Sequence, residues 1–186
     1  MTSLVEQRLI RLQNDYQEMR NLIGPIVQWR ALEGREPAVE KYEVTVRIRT
    51  ITGPSPSYRD LNTLVLYLPP TYPHQSAPVI TMVTQPVPFH PNWFNSGQWC
   101  YGKWVISEGL GHYVVRMMRT LQYDLEITNE QSPANQEANA WYLARKNSGL
   151  FPCDRQTLPD PTGNSQRKRF TVTESPPART RFRIQD

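Results

Sequence analysis

The rarest side chains of this 186-residue chain lie together in one short run, FHPNWFNSGQWCYGKW, at residues 89–104. The run holds three of the five tryptophans, one of the three histidines and Cys100, one of two cysteines. A cysteine thiolate is a good nucleophile and a good leaving group, which suits it to carry an acyl group as a thioester. Taken alone, a cysteine is more often a buried apolar side chain. The residues around Cys100 must therefore indicate whether it is a nucleophile or a buried apolar side chain.

An amide side chain precedes Cys100 by eight residues, in the sequence His90-Pro91-Asn92. When an amine attacks a thioester, the carbonyl oxygen becomes an oxyanion, and a preorganised N–H group is its usual donor. Asn92 carries such a donor. Seven of the 17 prolines lie at residues 69–91, so the motif ends an irregular but stiff segment. The alternative role for Asn92 is to cap a turn.

Two other kinds of site use the same residues. A metal could bind His74, His90, His112 and Cys100, but their spacing matches no compact ligand pattern. A cysteine hydrolase could pair Cys100 with His112, but no hydrolase signature surrounds the cysteine. We therefore expect neither a metal nor a cofactor.

The elements around this run begin with a helix. Ser3 and Glu6 form an S-x-x-E capping box, and Gly24-Pro25 ends a helix of about 20 residues. The predicted apolar stripe consists of Val5, Leu9, Leu12, Tyr16, Met19 and Ile23.

Strands and further helices follow. Apolar and polar residues alternate at 42–48, which is typical of a half-buried antiparallel strand. Other strands are predicted at 26–32, 62–68 and 79–83, and helices at 110–121 and 133–146, the last starting at Pro133. The predicted fold is α+β: an N-terminal helix, a four-stranded antiparallel meander, a long Pro-rich loop and C-terminal helices.

This order of elements, with His90-Pro91-Asn92 and then Cys100, resembles the ubiquitin-conjugating enzymes. The sequence Pro70-x-Tyr72-Pro73 and Trp104 are also similar to that family. The similarity covers the chain from residue 3 to about residue 147, in the family's order. It implies the fold of ubiquitin-conjugating enzymes.

The resemblance also implies an activity. Cys100 would accept a ubiquitin-like protein from an activating enzyme as a thioester and pass it to an amine, a lysine of a target protein. Asn92 would stabilise the oxyanion or support the loop, while His90 and Pro91 would support the loop. Ser132 would orient the incoming amine, although its place before Pro133 also makes it an N-cap candidate.

The first helix would bind the activating enzyme. Arg8 and Arg11 are one turn apart and resemble the family's basic docking face, whereas a solvated helix face is the alternative. A non-catalytic binding module of the same fold is a further alternative, but such relatives usually lack the cysteine.

Several features depart from the family. Tyr101 follows Cys100 where leucine is common, the Ser-Pro-Ala loop after Trp104 is missing, and residues 34–41 look longer than the usual tight connection. Partnership with a ligase is thus left open. With 17 arginines and four lysines, the composition suits a high-GC genome. We expect a distant, bacterial-type member, with antiviral defence among its candidate roles.

Charge and composition define the domain and its surroundings. Residues 159–186 hold six basic and three acidic side chains, a net +3 of the chain's +4. We expect a catalytic domain at 1–158 and a basic flexible tail at 159–186. The nearly neutral domain does not predict nucleic-acid binding. No apolar run approaches the roughly 20 residues of a membrane helix. Two cysteines cannot form a disulfide scaffold, which indicates a reducing cytoplasm.

Overall fold

The computed structural model describes residues 3–164 of the chain. The helices and strands are α1 (Leu4–Leu22), β1 (Val27–Arg35), β2 (Ala38–Gly53), β3 (Ser57–Tyr67), β4 (Val79–Met82), α2 (Leu110–Leu121) and α3 (Gln136–Leu143). No helix in this part of the chain is long and apolar enough to cross a membrane. The order of elements confirms the predicted α+β class.

The N-terminus of α1 has the predicted capping box. Ser3 Oγ accepts a hydrogen bond from the Glu6 N–H at 3.2 Å, and the Ser3 N–H donates to Glu6 Oε2 at 2.7 Å. The buried face of α1, however, differs from the predicted stripe. Leu12 and Met19 are buried, but Val5 is 78% exposed, and Asp15 is buried at 1% exposure. Apolar periodicity cannot place a carboxylate in a core, so the true buried face is rotated toward Asp15.

The four strands form one antiparallel sheet in the order β1-β2-β3-β4, which confirms the predicted meander. The alternation predicted for β2 is also confirmed, because Tyr42, Val44, Val46 and Ile48 are all completely buried. Both α1 and α2 pack against β2. One face of the sheet therefore lies against the helices and forms the main core.

Residues 34–41 were predicted to form a long connection, but in the structure they belong to the hairpin between β1 and β2. Both strands continue into this segment, and only Glu36 and Pro37 lie between Arg35 and Ala38. Gly34 has φ +85°, and a Cβ there would lie 2.6 Å from the Ala38 carbonyl oxygen. A glycine is required at this bulge, and it allows the strands to extend beyond their predicted ends.

The N-terminus of α2 is capped by α1. The N-cap residue, Gly109, has no side chain to accept a hydrogen bond. Instead, the Leu110 N–H donates to Asp15 Oδ1 at 3.0 Å, and the Gly111 N–H donates to Glu18 Oε2 at 2.9 Å. Two carboxylates three residues apart on α1 thus satisfy the first free N–H groups of α2 and complement its dipole.

The last helix is shorter than the predicted 133–146. It begins at Gln136, and its N-cap is Asn135, whose side chain accepts a hydrogen bond from the Ala138 N–H at 3.0 Å. The N–H groups of Ala134 and Asn135 donate to the Pro91 carbonyl at 2.7 and 3.2 Å. This tertiary contact keeps the residues after Pro133 out of the helix, so Ser132 is not the N-cap.

The packed part of the chain continues past the predicted domain boundary at residue 158. Pro161 is buried, and its carbonyl accepts a hydrogen bond from Asn21 Nδ2 at 2.8 Å. Pro161 also covers Gly111, where an added Cβ would lie 2.6 Å from the proline ring. Contacts with α1 and α2 therefore continue at least to Pro161, and residues 165–186 of the predicted tail lie outside the described residues.

Replacing Asp15 with alanine is expected to lower the free energy of unfolding by about 3–5 kcal/mol. The substitution removes the carboxylate that pairs with Arg11 and caps Leu110. Urea unfolding monitored by tryptophan fluorescence measures the loss. Glu43→Ala is the control, because its ion pair with Arg30 lies on the solvent side of the sheet. A loss for Asp15→Ala no larger than for Glu43→Ala would contradict this prediction.

Candidate active site

A short hairpin brings Asn92 next to Cys100. The Cys100 N–H donates to the Asn92 carbonyl at 2.8 Å, and the Phe94 N–H donates to the Gln98 carbonyl at 2.9 Å. The eight-residue spacing of the motif is thus the length of a closed hairpin. Its second arm is held by β4, since the Trp99 N–H donates to the Ile80 carbonyl at 2.9 Å.

The tryptophans of the motif anchor this hairpin. Trp93 and Trp99 pair across it and are 0% and 2% exposed, respectively. Trp104 packs against the rings of Tyr72 and Tyr113, with centroids 5.7 and 5.6 Å away. The aromatic residues that surround Cys100 in the sequence therefore attach the hairpin and the following loop to the core.

The two thiols lie in different surroundings. Cys100 is a free, half-buried thiol at the end of the hairpin. Cys153 packs beside the second, smaller cluster of buried aromatic residues, and its Sγ lies 3.4 Å from the Arg49 carbonyl oxygen. Burial raises the pKa of Cys153 to about 12, so this thiol is protonated at neutral pH and is a poor nucleophile. Cys100 is the candidate nucleophile.

His90 is completely buried beneath the hairpin. Burial lowers its pKa to about 3, so the ring is neutral at physiological pH. Its Nδ1 accepts a hydrogen bond from the Asn92 N–H at 2.9 Å, and its ring centroid lies 4.0 Å from that of Tyr123. A neutral ring with these contacts supports the backbone, and Pro91 does the same through its carbonyl contacts with Ala134 and Asn135.

Asn92 is 6% exposed, and its side chain joins two loops. Its Oδ1 accepts a hydrogen bond from the Asn129 N–H at 2.8 Å, and its Nδ2 donates to the Ile127 carbonyl at 3.2 Å. An amide nitrogen carries two hydrogens, so Nδ2 has a second N–H beyond the one used by Ile127. These contacts show how Asn92 supports the loop, and oxyanion binding by the second N–H stays a prediction.

Ser132 is exposed in the loop that Asn92 supports. Its backbone N–H and carbonyl both bind the Asn129 side chain, at 3.0 and 2.6 Å. Asn129 therefore connects Asn92 to Ser132, and the sequence analysis missed it. It also missed the contact between Asn135 Nδ2 and Asn95 Oδ1 at 2.9 Å. Asparagines scattered over two loops carry no periodic signal, so only their frequency could have suggested a network.

Arg8 and Arg11 point into the molecule rather than forming a solvated basic face. Their side chains are 18% and 17% exposed. Arg8 binds Glu40 at 2.7 Å and the Tyr72 carbonyl at 2.9 Å. Arg11 binds both carboxylate oxygens of Asp15, at 3.0 and 2.9 Å. Their contact with an activating enzyme remains a prediction. Any such contact would involve guanidinium groups that already bind other parts of the fold.

Two of the three histidines have Nδ1 partners other than Cys100. His112 Nδ1 lies 3.5 Å from Glu18 Oε2, and His90 Nδ1 is occupied by the Asn92 N–H. Neither Nδ1 atom is therefore paired with Cys100. Within residues 3–164, no group of three or more His, Cys, Asp or Glu side chains is arranged to hold a metal ion.

Comparisons with known proteins identify the fold. No protein-family model and no curated protein matches the chain. Human ubiquitin-conjugating enzyme E2 G1 is 17% identical over 64% of this chain and 98% of its own, with a TM-score of 0.48. A protein described as a novel ubiquitin-conjugating enzyme is 18% identical over 77% of this chain and 89% of its own, with a TM-score of 0.53. The second similarity shows that the chain has the fold of the ubiquitin-conjugating enzymes, and at this identity it shows the fold alone.

His90 should make stability depend on pH. Its pKa is 6.5 in the unfolded chain and about 3 in the fold, so below about pH 6.5 the unfolded chain binds a proton that the folded chain cannot. Stability should therefore fall by about 1.4 kcal/mol per pH unit as the pH drops from 6.5 toward 3. In His90→Asn, an amide oxygen can replace Nδ1 as the acceptor, and the loss of stability caused by protonation of His90 in the unfolded chain no longer occurs. Urea unfolding between about pH 7 and pH 4 tests this, and a parallel decline in both proteins would contradict it.

Proposed function

We propose that this protein is a carrier enzyme of the ubiquitin-conjugating type. It accepts a ubiquitin-like protein from an activating enzyme as a thioester on Cys100 and transfers it to a lysine amine of a target protein. The observation that supports the proposal is the hairpin in which the Cys100 N–H donates to the Asn92 carbonyl at 2.8 Å. An acyl carrier needs this pair: a thiol that can be attacked and a fixed N–H donor near it.

The proposed cycle consists of two transfers of the modifier's acyl group. In charging, Cys100 Sγ attacks the carbonyl carbon of the modifier's C-terminal thioester. A new carbon–sulfur bond forms, and the activating enzyme's cysteine leaves with the proton. In discharge, a lysine Nζ attacks the same carbon, an amide bond forms, and Cys100 leaves as the thiol with a proton from the amine.

The surrounding residues have supporting roles in this proposal. Asn92 stabilises the oxyanion through Nδ2, Ser132 orients the amine, and His90 and Pro91 hold the loop. The activating enzyme binds at α1, with Arg8 and Arg11 as its proposed contacts. We place the reaction in a reducing cytoplasm, where a thiol carrier stays reduced. A bacterial conjugation system with a role in defence remains a prediction, and partnership with a ligase stays open.

The first test concerns the thiol. With a cognate activating enzyme, ATP and a ubiquitin-like protein, the wild-type protein and Cys153→Ala should form an adduct that reductant cleaves. Cys100→Ser should form an adduct that resists reductant, because an oxyester replaces the thioester. Non-reducing gels and intact mass spectrometry measure both. A reductant-sensitive adduct on Cys100→Ala would contradict the assignment, and hydrolysis of the modifier without an adduct would favour the cysteine hydrolase.

The second test separates the two roles of Asn92. Asn92→Asp keeps the oxygen that Asn129 binds but removes the N–H donors. If Asn92 binds the oxyanion as the amine attacks, Asn92→Asp should charge at nearly the normal rate and discharge to free lysine about 10²–10³-fold more slowly. The measurement is single-turnover loss of the thioester after the activating enzyme is quenched.

The control for Asn92 is Asn95→Ala, which loses an amide contact of the same hairpin and should discharge normally. Asn92→Ala also removes the contact with the Asn129 N–H and should lower the melting temperature. Near-normal discharge by Asn92→Asp would contradict the oxyanion role. Equal damage to charging and discharge, with a lowered melting temperature, would assign Asn92 to loop support.

A further inference from the structure

Arg116 of α2 contacts the chain on both sides of Cys100. Its Nη1 donates to the Tyr101 carbonyl at 2.6 Å, directly after the cysteine. Its guanidinium carbon lies 5.6 Å from the centre of the Trp99 ring, directly before the cysteine. The Arg116 side chain is 25% exposed. Tyr113 of the same helix also packs against both neighbours of the nucleophile, with ring centroids 5.0 Å from Trp99 and 5.7 Å from Tyr101, but Arg116 adds a hydrogen bond to the backbone next to Cys100.

The same guanidinium also closes the loop that follows Cys100. Nε and Nη2 of Arg116 donate to the two carboxylate oxygens of Glu108, at 2.9 and 2.6 Å. Tyr101 and Glu108 lie at opposite ends of this loop, so one side chain holds both ends against α2. Next to Cys100 the loop is open at Gly102, which has φ +75° and where a Cβ would meet nothing within 4 Å. Its later residues are held by Trp104 and by Arg11.

We propose that Arg116 is a positioning residue for Cys100. The proposal rests on the proposed function, because it concerns where the sulfur and its acyl group stand when the amine attacks. Arg116 acts through the Tyr101 carbonyl and the Trp99 ring, and its planar fork satisfies Glu108 at the same time. A lysine carries one ammonium group and cannot reproduce this geometry. Small displacements of a reacting atom are enough to slow such transfers strongly.

The first measurement needs no partner protein. Hydrogen exchange followed by mass spectrometry compares the wild-type protein with Arg116→Met, which keeps an apolar side chain over the rings but loses every donor. Peptides covering residues 99–109 should exchange about tenfold faster in the variant, whereas peptides of β2 and β3 should not change. Arg49→Met is the matched control. Arg49 also binds a carboxylate with two nitrogens and lies over an aromatic ring, but its partners are Asp60 and Tyr58 of β3.

The second measurement is single-turnover discharge over a range of lysine concentrations. Arg116→Met should lower the rate at saturating lysine about tenfold or more and leave the half-saturating concentration unchanged, because position is lost and not lysine binding. Arg116→Lys should not restore the rate, and Glu108→Gln should give a smaller loss. Arg49→Met should discharge like the wild type. The variants Arg116→Lys and Glu108→Gln keep the test informative if Arg116→Met folds poorly.

The outcomes separate the two proposals. If the wild type never forms a thioester, the proposed function fails, and the exchange measurement still decides whether Arg116 holds residues 99–109. Unchanged exchange there in Arg116→Met overturns the positioning role. It is also overturned if discharge stays normal, if Arg116→Lys discharges normally, or if the half-saturating lysine concentration changes instead of the limiting rate.

Discussion

The buried carboxylate of Asp15 is the interaction on which the rest of the structure depends. It accepts hydrogen bonds from Arg11 Nε, from the Tyr72 hydroxyl at 2.6 Å and from the Leu110 N–H at 3.0 Å. Burial raises the pKa of Asp15, and Arg11 and Tyr72 oppose that shift. An unpaired carboxylate in this place would be strongly unfavourable, so the three partners must meet there. They come from α1, from the Pro-rich segment and from the start of α2, and the single carboxylate therefore fixes these three parts relative to one another.

The position of α2 in turn determines the surroundings of Cys100. The helix begins where the loop after the cysteine ends, and its side chain Arg116 reaches back to that loop. On the other side, the hairpin is fixed by buried tryptophans and by His90, which binds the backbone of Asn92. The candidate site is thus built on rigid neighbours, as a site needs when its chemistry depends on the placement of one sulfur and one donor.

Local patterns in the sequence predicted a large part of this structure. The capping box of α1, the alternation of β2 and the proximity of Asn92 to a later cysteine each depend on residues close in sequence or on a recognisable motif. The failures share a different cause. Asp15 in the core, Asn135 as the N-cap of α3 and the packing of Pro161 depend on partners 40 or more residues away. The neighbouring sequence does not indicate that a polar side chain has such a partner, so a prediction from periodicity places that side chain in solvent.

The excess of arginine over lysine has a physical counterpart in the irregular segments. Proline has no N–H group, so a Pro-rich stretch contains more carbonyl acceptors than donors, and those carbonyls cannot all be satisfied by neighbouring backbone. Arginine supplies five N–H donors in a planar arrangement and can bind a carboxylate and a carbonyl together. Four arginines donate to carbonyls of irregular segments: those of Pro69, Tyr72 and Pro86 in the Pro-rich stretch, and those of Tyr101, Ile106 and Glu108 in the proline-free loop after Cys100. Three of the four also bind a carboxylate of the chain. At those three positions a lysine would have to bind the carboxylate and the carbonyl with one ammonium group. The structure of the loops on either side of Cys100 therefore favours arginine independently of codon usage.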